Sequence, residues 1–137
     1  MKYYVATRLE NYEAHNQVRD LLNDLGHELT YDWSQHGPVW QAGIPRMREV
    51  CLLELGAIRA ADFVVGLLPG GRGTHVELGY ALALSKPVFL HSTRGEEHFT
   101  SHPESCAFYH HPLVTVLPAD LRVAVAKINR AMRVLNA

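Results

Sequence analysis

Residues 63–68 read Phe-Val-Val-Gly-Leu-Leu, an apolar run with no polar residue at alternate positions. A half-exposed strand alternates apolar and polar residues, because successive side chains point to opposite faces. A strand without that alternation is covered on both faces, as in a parallel sheet flanked by helices on each side. The neighbouring residues agree. Asp62 precedes the run, Pro69-Gly70-Gly71-Arg72-Gly73 turns the chain after it, and Thr74 to Ser85 has the composition of a helix. Strand, glycine-rich turn and helix follow one another as in the first half of a βαβ unit.

The rest of the chain repeats this alternation. Tyr3 to Ala6 is a short β-prone run. Val18, Leu21, Leu22 and Leu25 fall at i, i+3, i+4 and i+7, and Gly26 stands where a left-handed residue ends a helix. His27 to Trp33 alternates roughly and reads as a second strand, and Gln35 to Pro45, with two Gly and two Pro, reads as loop. Arg46 to Ala61 is helical in composition, Pro87 to His91 reads as a fourth strand and Leu113 to Leu117 as a fifth. After Pro118, Leu121, Val125, Ile128, Met132 and Leu135 form one helical stripe. His91 to Pro112 is a long polar stretch, and connections of that length are usually functional or mobile.

Five strands alternating with helices predict one α/β domain over residues 1–137. Its expected form is a flavodoxin-like (Rossmann-like), doubly wound, five-stranded parallel sheet in the order 2-1-3-4-5. Ligands bind such sheets beyond the carboxyl ends of the strands, at the switch point between strands 1 and 3. Ala6 to Asn11 and Pro69 to Glu77 are therefore the segments that face a ligand.

Composition narrows the ligand. The 137 residues are 47% hydrophobic and 20% charged, which fits one ordinary domain and excludes a disordered chain. A net charge of -1 sets up no field that attracts nucleic acid or anionic lipid. A phosphate-bearing partner must then be a small molecule, recognised locally. No apolar stretch has the length of a membrane span, and Met1 to Val5 has no signal-peptide pattern. Cys51 and Cys106 form no motif with each other and read as reduced thiols, so a cytoplasmic protein is expected. The nine histidines lack zinc-site spacings, and neither a metal nor a cofactor is expected.

Within Gly70-Gly71-Arg72-Gly73-Thr74-His75-Val76-Glu77, glycines permit close backbone approach, and the start of the next helix presents unpaired N–H groups. The spacing is neither that of a Walker loop nor G-x-G-x-x-G. Glu77 admits two readings. Thr74-x-x-Glu77 fits a capping box, which would make the carboxylate structural. Alternatively, Glu77 is a carboxylate held above the cleft, kept ionised by the helix terminus and suited to attack an anomeric carbon.

Ala61-Asp62-Phe63-Val64-Val65-Gly66, Gly73-Thr74-His75-Val76-Glu77-Leu78-Gly79-Tyr80-Ala81 and Lys86-Pro87-Val88 together resemble the nucleoside 2-deoxyribosyltransferase family, which includes 2'-deoxynucleoside 5'-phosphate N-hydrolases. The resemblance is strongest from Glu54 to His91. It implies that Glu77 is the nucleophile at C1' of the sugar. It implies a second acid at Glu54, where Asp is usual, and a role for Asp62 at the start of the third strand. It also implies a homodimer or higher homo-oligomer, with His91 to Pro112 reaching a neighbour's site through Ser101 or Ser105.

Transferases of the family carry an Asp six residues before the nucleophile; here that position is Gly71. Their first strand runs into Pro and two Phe, whereas here Thr7 and Arg8 follow Ala6. Thr7, Arg8, Arg72, Thr74 and the N–H groups of Gly70, Gly71 and Gly73 could form a 5'-phosphate pocket, which leans the reading toward nucleotide N-hydrolysis. A second resemblance competes: Pro69 to Glu77 fits P-G-G-x-G-T-x-x-E of the lysine-decarboxylase-like phosphoribohydrolases, which act on nucleoside 5'-monophosphates. A non-catalytic nucleotide-binding module is the third reading. Tyr3 and Tyr4 read as core residues. Trp33, His36 and Trp40 share a loop in which a Trp could stack on a base.

Overall fold

The computed structural model describes residues 1–136. Its strands are β1 (Lys2–Ala6), β2 (Glu28–Leu29), β3 (Phe63–Leu68), β4 (Val88–Ser92) and β5 (Val114–Val116). Its helices are α1 (Tyr12–Asp24), α2 (Ile44–Ala60), α3 (Arg72–Ala83), α4 (Gly95–His98) and α5 (Leu121–Leu135). The strands form one sheet in the order β2-β1-β3-β4-β5, and every pairing is parallel. The doubly wound order expected from the sequence is the order found.

The two faces of the sheet carry separate apolar layers. Tyr3, Val5, Phe63, Val65 and Phe89 pack with Val18 and Leu22 of α1 and with Val125, Ile128 and Met132 of α5. Tyr4, Ala6, Val64, Leu68 and Leu90 pack on the other face, with Ala57 and Ile58 of α2 and with Leu78 and Ala81 of α3. All six residues of β3 are buried, as their unbroken apolar pattern requires. At Gly66 a Cβ would lie 2.6 Å from Leu90 Cδ2 and 2.9 Å from Leu78 Cδ2, so a larger residue there would displace leucines of β4 and α3.

The boundaries differ from the sequence reading where polar side chains redirect the backbone. β2 spans two residues rather than His27 to Trp33, because the Asp32 carboxylate accepts the Ser34 N–H at 3.0 Å and turns the chain into a 3-10 segment at Trp33–Gln35. The Gln35 to Pro45 loop holds a second 3-10 turn, Val39–Ala42, and α2 starts at Ile44, with Pro45 in its first turn. His91 to Pro112 contains α4 and a 3-10 turn at Ala107–His110. Gly26 has φ +89°, the left-handed conformation expected after α1. Among the described residues no helix is long and apolar enough to cross a membrane.

Candidate active site

A cavity of about 510 Å³ opens between the segment after β1, the loop between β2 and α2, the inner side of α2 and the start of α3. Thr7 and Arg8 reach it from the first of these, Trp33, His36 and Trp40 from the second, and Met47 and Glu54 from α2. Gly71, Gly73, Thr74 and Glu77 reach it from the last. This is the switch point between β1 and β3, where the topology places a ligand.

The start of α3 bears on the capping-box reading of Glu77. The N-cap is Gly71, not Thr74. Thr74 lies one turn in, and its Oγ1 accepts the Gly71 N–H at 3.0 Å. The Thr74–Glu77 capping box therefore does not form. Glu77 falls in the second turn, 7% exposed, and its Oε2 accepts a hydrogen bond from the Tyr4 hydroxyl. Tyr4 is fully buried in the face of β1 that meets α2 and α3. It belongs to the core, as the sequence reading had it, and its hydroxyl holds the Glu77 carboxyl that lines the cleft.

The electrostatics also depart from expectation. Burial pushes Glu77 up to about 8, the neighbouring Glu54 carboxylate adds to the rise, and the Tyr4 hydrogen bond opposes it. Glu54 is raised by its own partial burial, while the His36 imidazole and the contact with Glu77 pull it down. Tyr4 is held well above the usual tyrosine range, first by burial and then by the two carboxylates. The sequence argument kept Glu77 ionised through the helix terminus. That effect is worth about 1 kcal/mol, whereas burying a carboxylate costs several. The larger effect wins, and burial favours the protonated form of Glu77.

The remaining predicted residues divide. The Thr7 hydroxyl donates to the Leu67 carbonyl at 2.7 Å and accepts from Asn11 Nδ2 at 2.9 Å. Asn11 also donates to the Pro69 carbonyl at 2.8 Å. These bonds tie the end of β1 to the end of β3, and Thr7's only hydroxyl proton is engaged there. Asn11 was not singled out in the sequence; its place just past the first strand was the available signal. Arg8 is exposed and lines the cavity, whereas Arg72 is exposed and lies outside the lining. Gly70 lies under Thr74, where a Cβ would meet Thr74 Cγ2 at 2.6 Å. Asp62 is not brought to the cleft. It precedes β3 at the amino end of the sheet, and its Oδ2 accepts the Lys2 N–H at 2.8 Å. Among the described residues no three His, Cys, Asp or Glu side chains group so as to hold a metal ion.

One further link ties the glycine turn to the long connection. His75 Nδ1 lies 2.7 Å from the Gly71 carbonyl oxygen, and Nε2 lies 2.7 Å from the Tyr109 hydroxyl. A carbonyl only accepts, so Nδ1 carries the proton and Tyr109 donates to Nε2.

A doubly wound parallel sheet with a cavity at its switch point, lined by the buried Glu77 and the half-buried Glu54, defines the class of α/β proteins that bind a small ligand beyond the carboxyl ends of their strands. Within that class, the model of the nucleoside 2-deoxyribosyltransferase family matches residues 4–108, and the chain belongs to this family. Membership makes it an enzyme of nucleoside N-glycosidic-bond chemistry acting on a small nucleoside-like molecule. Among solved structures it is similar to the CMP N-glycosidase BcmB of Clostridium botulinum, with TM-score 0.63 and 17% identity over 94% of this chain and 99% of that one. It is similar to a 2-deoxyribosyltransferase of Bacillus psychrosaccharolyticus, with TM-score 0.60 and 29% identity over 70% of this chain and 75% of that one. A conserved protein of Enterococcus faecalis V583 gives TM-score 0.58 and 18% identity over 96% of this chain and 98% of that one. At 17% and 18% identity, the first and third speak for the fold. Comparison with curated proteins finds no match.

Proposed function

We propose that the protein hydrolyses the N-glycosidic bond of a nucleoside 5'-monophosphate, with Glu77 as the nucleophile. The observation that carries this reading is the buried Glu77 carboxyl in the cleft, with the Tyr4 hydroxyl donating to it and Glu54 beside it. Burial raises both carboxyls, which favours a proton held within the pair at rest. The reaction needs it on Glu54, and a short shift within the pair delivers it there. Glu77 is then a carboxylate steadied by Tyr4. Its oxygen bonds to C1' of the sugar as the C1'–N bond breaks, and the bonding pair leaves with the base. Glu54 supplies the proton that neutralises the departing base. A water then attacks C1', the C1'–O bond to Glu77 breaks, and Glu54 takes the proton of that water. Sugar phosphate and free base are the products.

The preference for a monophosphate rests on Arg8 at the cavity and on Gly71 at the position where the resembled transferases carry an Asp. The 29% identity to a 2-deoxyribosyltransferase supports a second reading, in which another base rather than water resolves the same covalent intermediate. One assay separates them: deoxynucleosides, ribonucleosides and their monophosphates are incubated with the protein, and free base is measured by chromatography. Base released without an acceptor base means hydrolysis, and base released only with one means transfer. Glu77→Gln should lower release by roughly 1,000-fold or more, as loss of a covalent catalyst does. A folded Glu77→Gln protein with near-normal release refutes the mechanism.

A further inference from the structure

In the proposed reaction the sugar lies at Glu77 and the phosphate lies toward Arg8 and the glycine turn. The base leaves toward Glu54, so it lies against the remaining wall of the cavity, made by α2 and the loop before it. Met47, Cys51 and Glu54 fall at i, i+4 and i+7, so they share one face of α2, and all three line the cavity. Trp33, Val39 and Trp40 line it from the loop.

The rings on this wall differ in what they can offer a base. Trp33 is buried, its Nε1 donates to the Val5 carbonyl at 2.9 Å, and its ring packs against that of His15, 4.5 Å between centroids. His36 packs against Tyr31, its Nδ1 is 3.0 Å from the Gly37 carbonyl oxygen, and its Nε2 is buried. Trp40 is different: it stands on the 3-10 turn Val39–Ala42, lines the cavity and is 68% exposed. A tryptophan left that open gains from being covered, and a flat base offers a matching face. The segment after β1 brings no aromatic ring to the cavity; it contributes Thr7, Arg8, Leu9 and Glu10. Stacking on the base therefore falls to Trp40.

The edges of the base meet little on this wall that could read them. Trp33 Nε1 and His36 Nδ1 are engaged, the Val39 and Met47 side chains are apolar, and a Cys51 thiol is a weak hydrogen-bonding group. Arg8 and Glu10 belong to the wall after β1, and Glu54 serves the leaving nitrogen. We infer that Trp40 stacks on the nucleobase, and that the cleft ranks bases by the area of their rings rather than by the donors and acceptors on their edges. Purine nucleotides then bind tighter than pyrimidine nucleotides, and the amino and keto members of each class bind alike. The inference rests on the proposed reaction for the placement of the base, but its test needs no turnover.

That test is a calorimetric titration of the Glu77→Gln protein with AMP, IMP, CMP and UMP. AMP and IMP should each bind roughly 10-fold tighter than CMP and UMP, and the two members of a class should agree within about 3-fold. Binding should also quench tryptophan emission, because the exposed indole is the one the ligand covers. Adding Trp40→Ala should weaken AMP by about 10-fold to 100-fold, remove most of the purine advantage and abolish the quench. Trp40→Phe keeps a stacking ring and should retain most of the AMP affinity, and circular dichroism checks the fold of each variant. No binding of any of the four, a 10-fold or greater difference between amino and keto members, or a purine preference that survives Trp40→Ala each overturns the inference. Any of these in a protein whose unmutated form releases base from monophosphates leaves the proposed reaction standing. A purine preference that depends on Trp40, in a protein whose unmutated form releases no base, upholds the inference and refutes the reaction instead.

Discussion

Glu77→Gln should make the protein more stable at neutral pH while abolishing its activity. The folded-state pKa of Glu77 is about 8, against an ordinary value of 4.5 in the unfolded chain. Below pH 4.5 both states hold the proton, and the stability associated with the neutral buried carboxyl is fully present. Between 4.5 and 8 the unfolded chain releases the proton and the folded protein keeps it, so stability falls by up to about 1.4 kcal/mol per pH unit. By pH 7 the accumulated loss is on the order of 3 kcal/mol. An amide at this position is neutral at every pH, has nearly the same shape and can accept the Tyr4 hydrogen bond through its oxygen. Melting curves from pH 4 to pH 8 should therefore fall steeply for the parent protein and much less for Glu77→Gln. In a chain of this length the separation near pH 7 should be roughly 10 °C. Some slope remains in the variant because Glu54 is also raised. Parallel curves for the two proteins would refute the claim that Glu77 is buried as the acid, whatever its part in turnover.

Tyr4→Phe removes the hydroxyl that donates to the Glu77 carboxylate, so the pH at which activity rises should move upward and base release should slow by about 10-fold to 100-fold, read from a pH–rate profile. Arg8→Ala should weaken monophosphate use by about 10-fold to 100-fold with little effect on the unphosphorylated nucleoside, whereas Arg72→Ala, outside the cavity lining, should change both little; equal losses on both substrates reject a phosphate role for Arg8. Sedimentation at assay concentration should show at least a dimer, and an active monomer would refute the expectation that a second copy completes the site.

Much of the fold was legible because its signals are local. The unbroken apolar run of β3, the helical stripes and Gly26 each report their own environment, and with the alternation of strands and helices they point to a parallel sheet. What stayed hidden depends on long-range contacts. Tyr4 looks like any core tyrosine until α3 places Glu77, 73 residues away in sequence, under its hydroxyl. The Glu77 pKa was misjudged for the same reason: a sequence shows the helix start but not the depth of burial. Thr74 and Glu77 have capping-box spacing, yet the helix begins at Arg72, so Thr74 serves the cap and Glu77 is free for the cleft. Asp62 shows the reverse error: a family pattern points to a site, and the strand carries the residue to the far end of the sheet.

The two outer strands of the sheet, β2 and β5, are only two and three residues long. An edge that short leaves too few unpaired backbone N–H and C=O groups to template a strand from another molecule. The protein thus escapes edge-to-edge aggregation by truncating its borders rather than by guarding them with charge. The same geometry constrains how copies can meet: edges this short disfavour a sheet that runs continuously through two molecules. Self-association is then expected to use side chains on helices and connections, where a single substitution can abolish it without disturbing a ladder of backbone bonds.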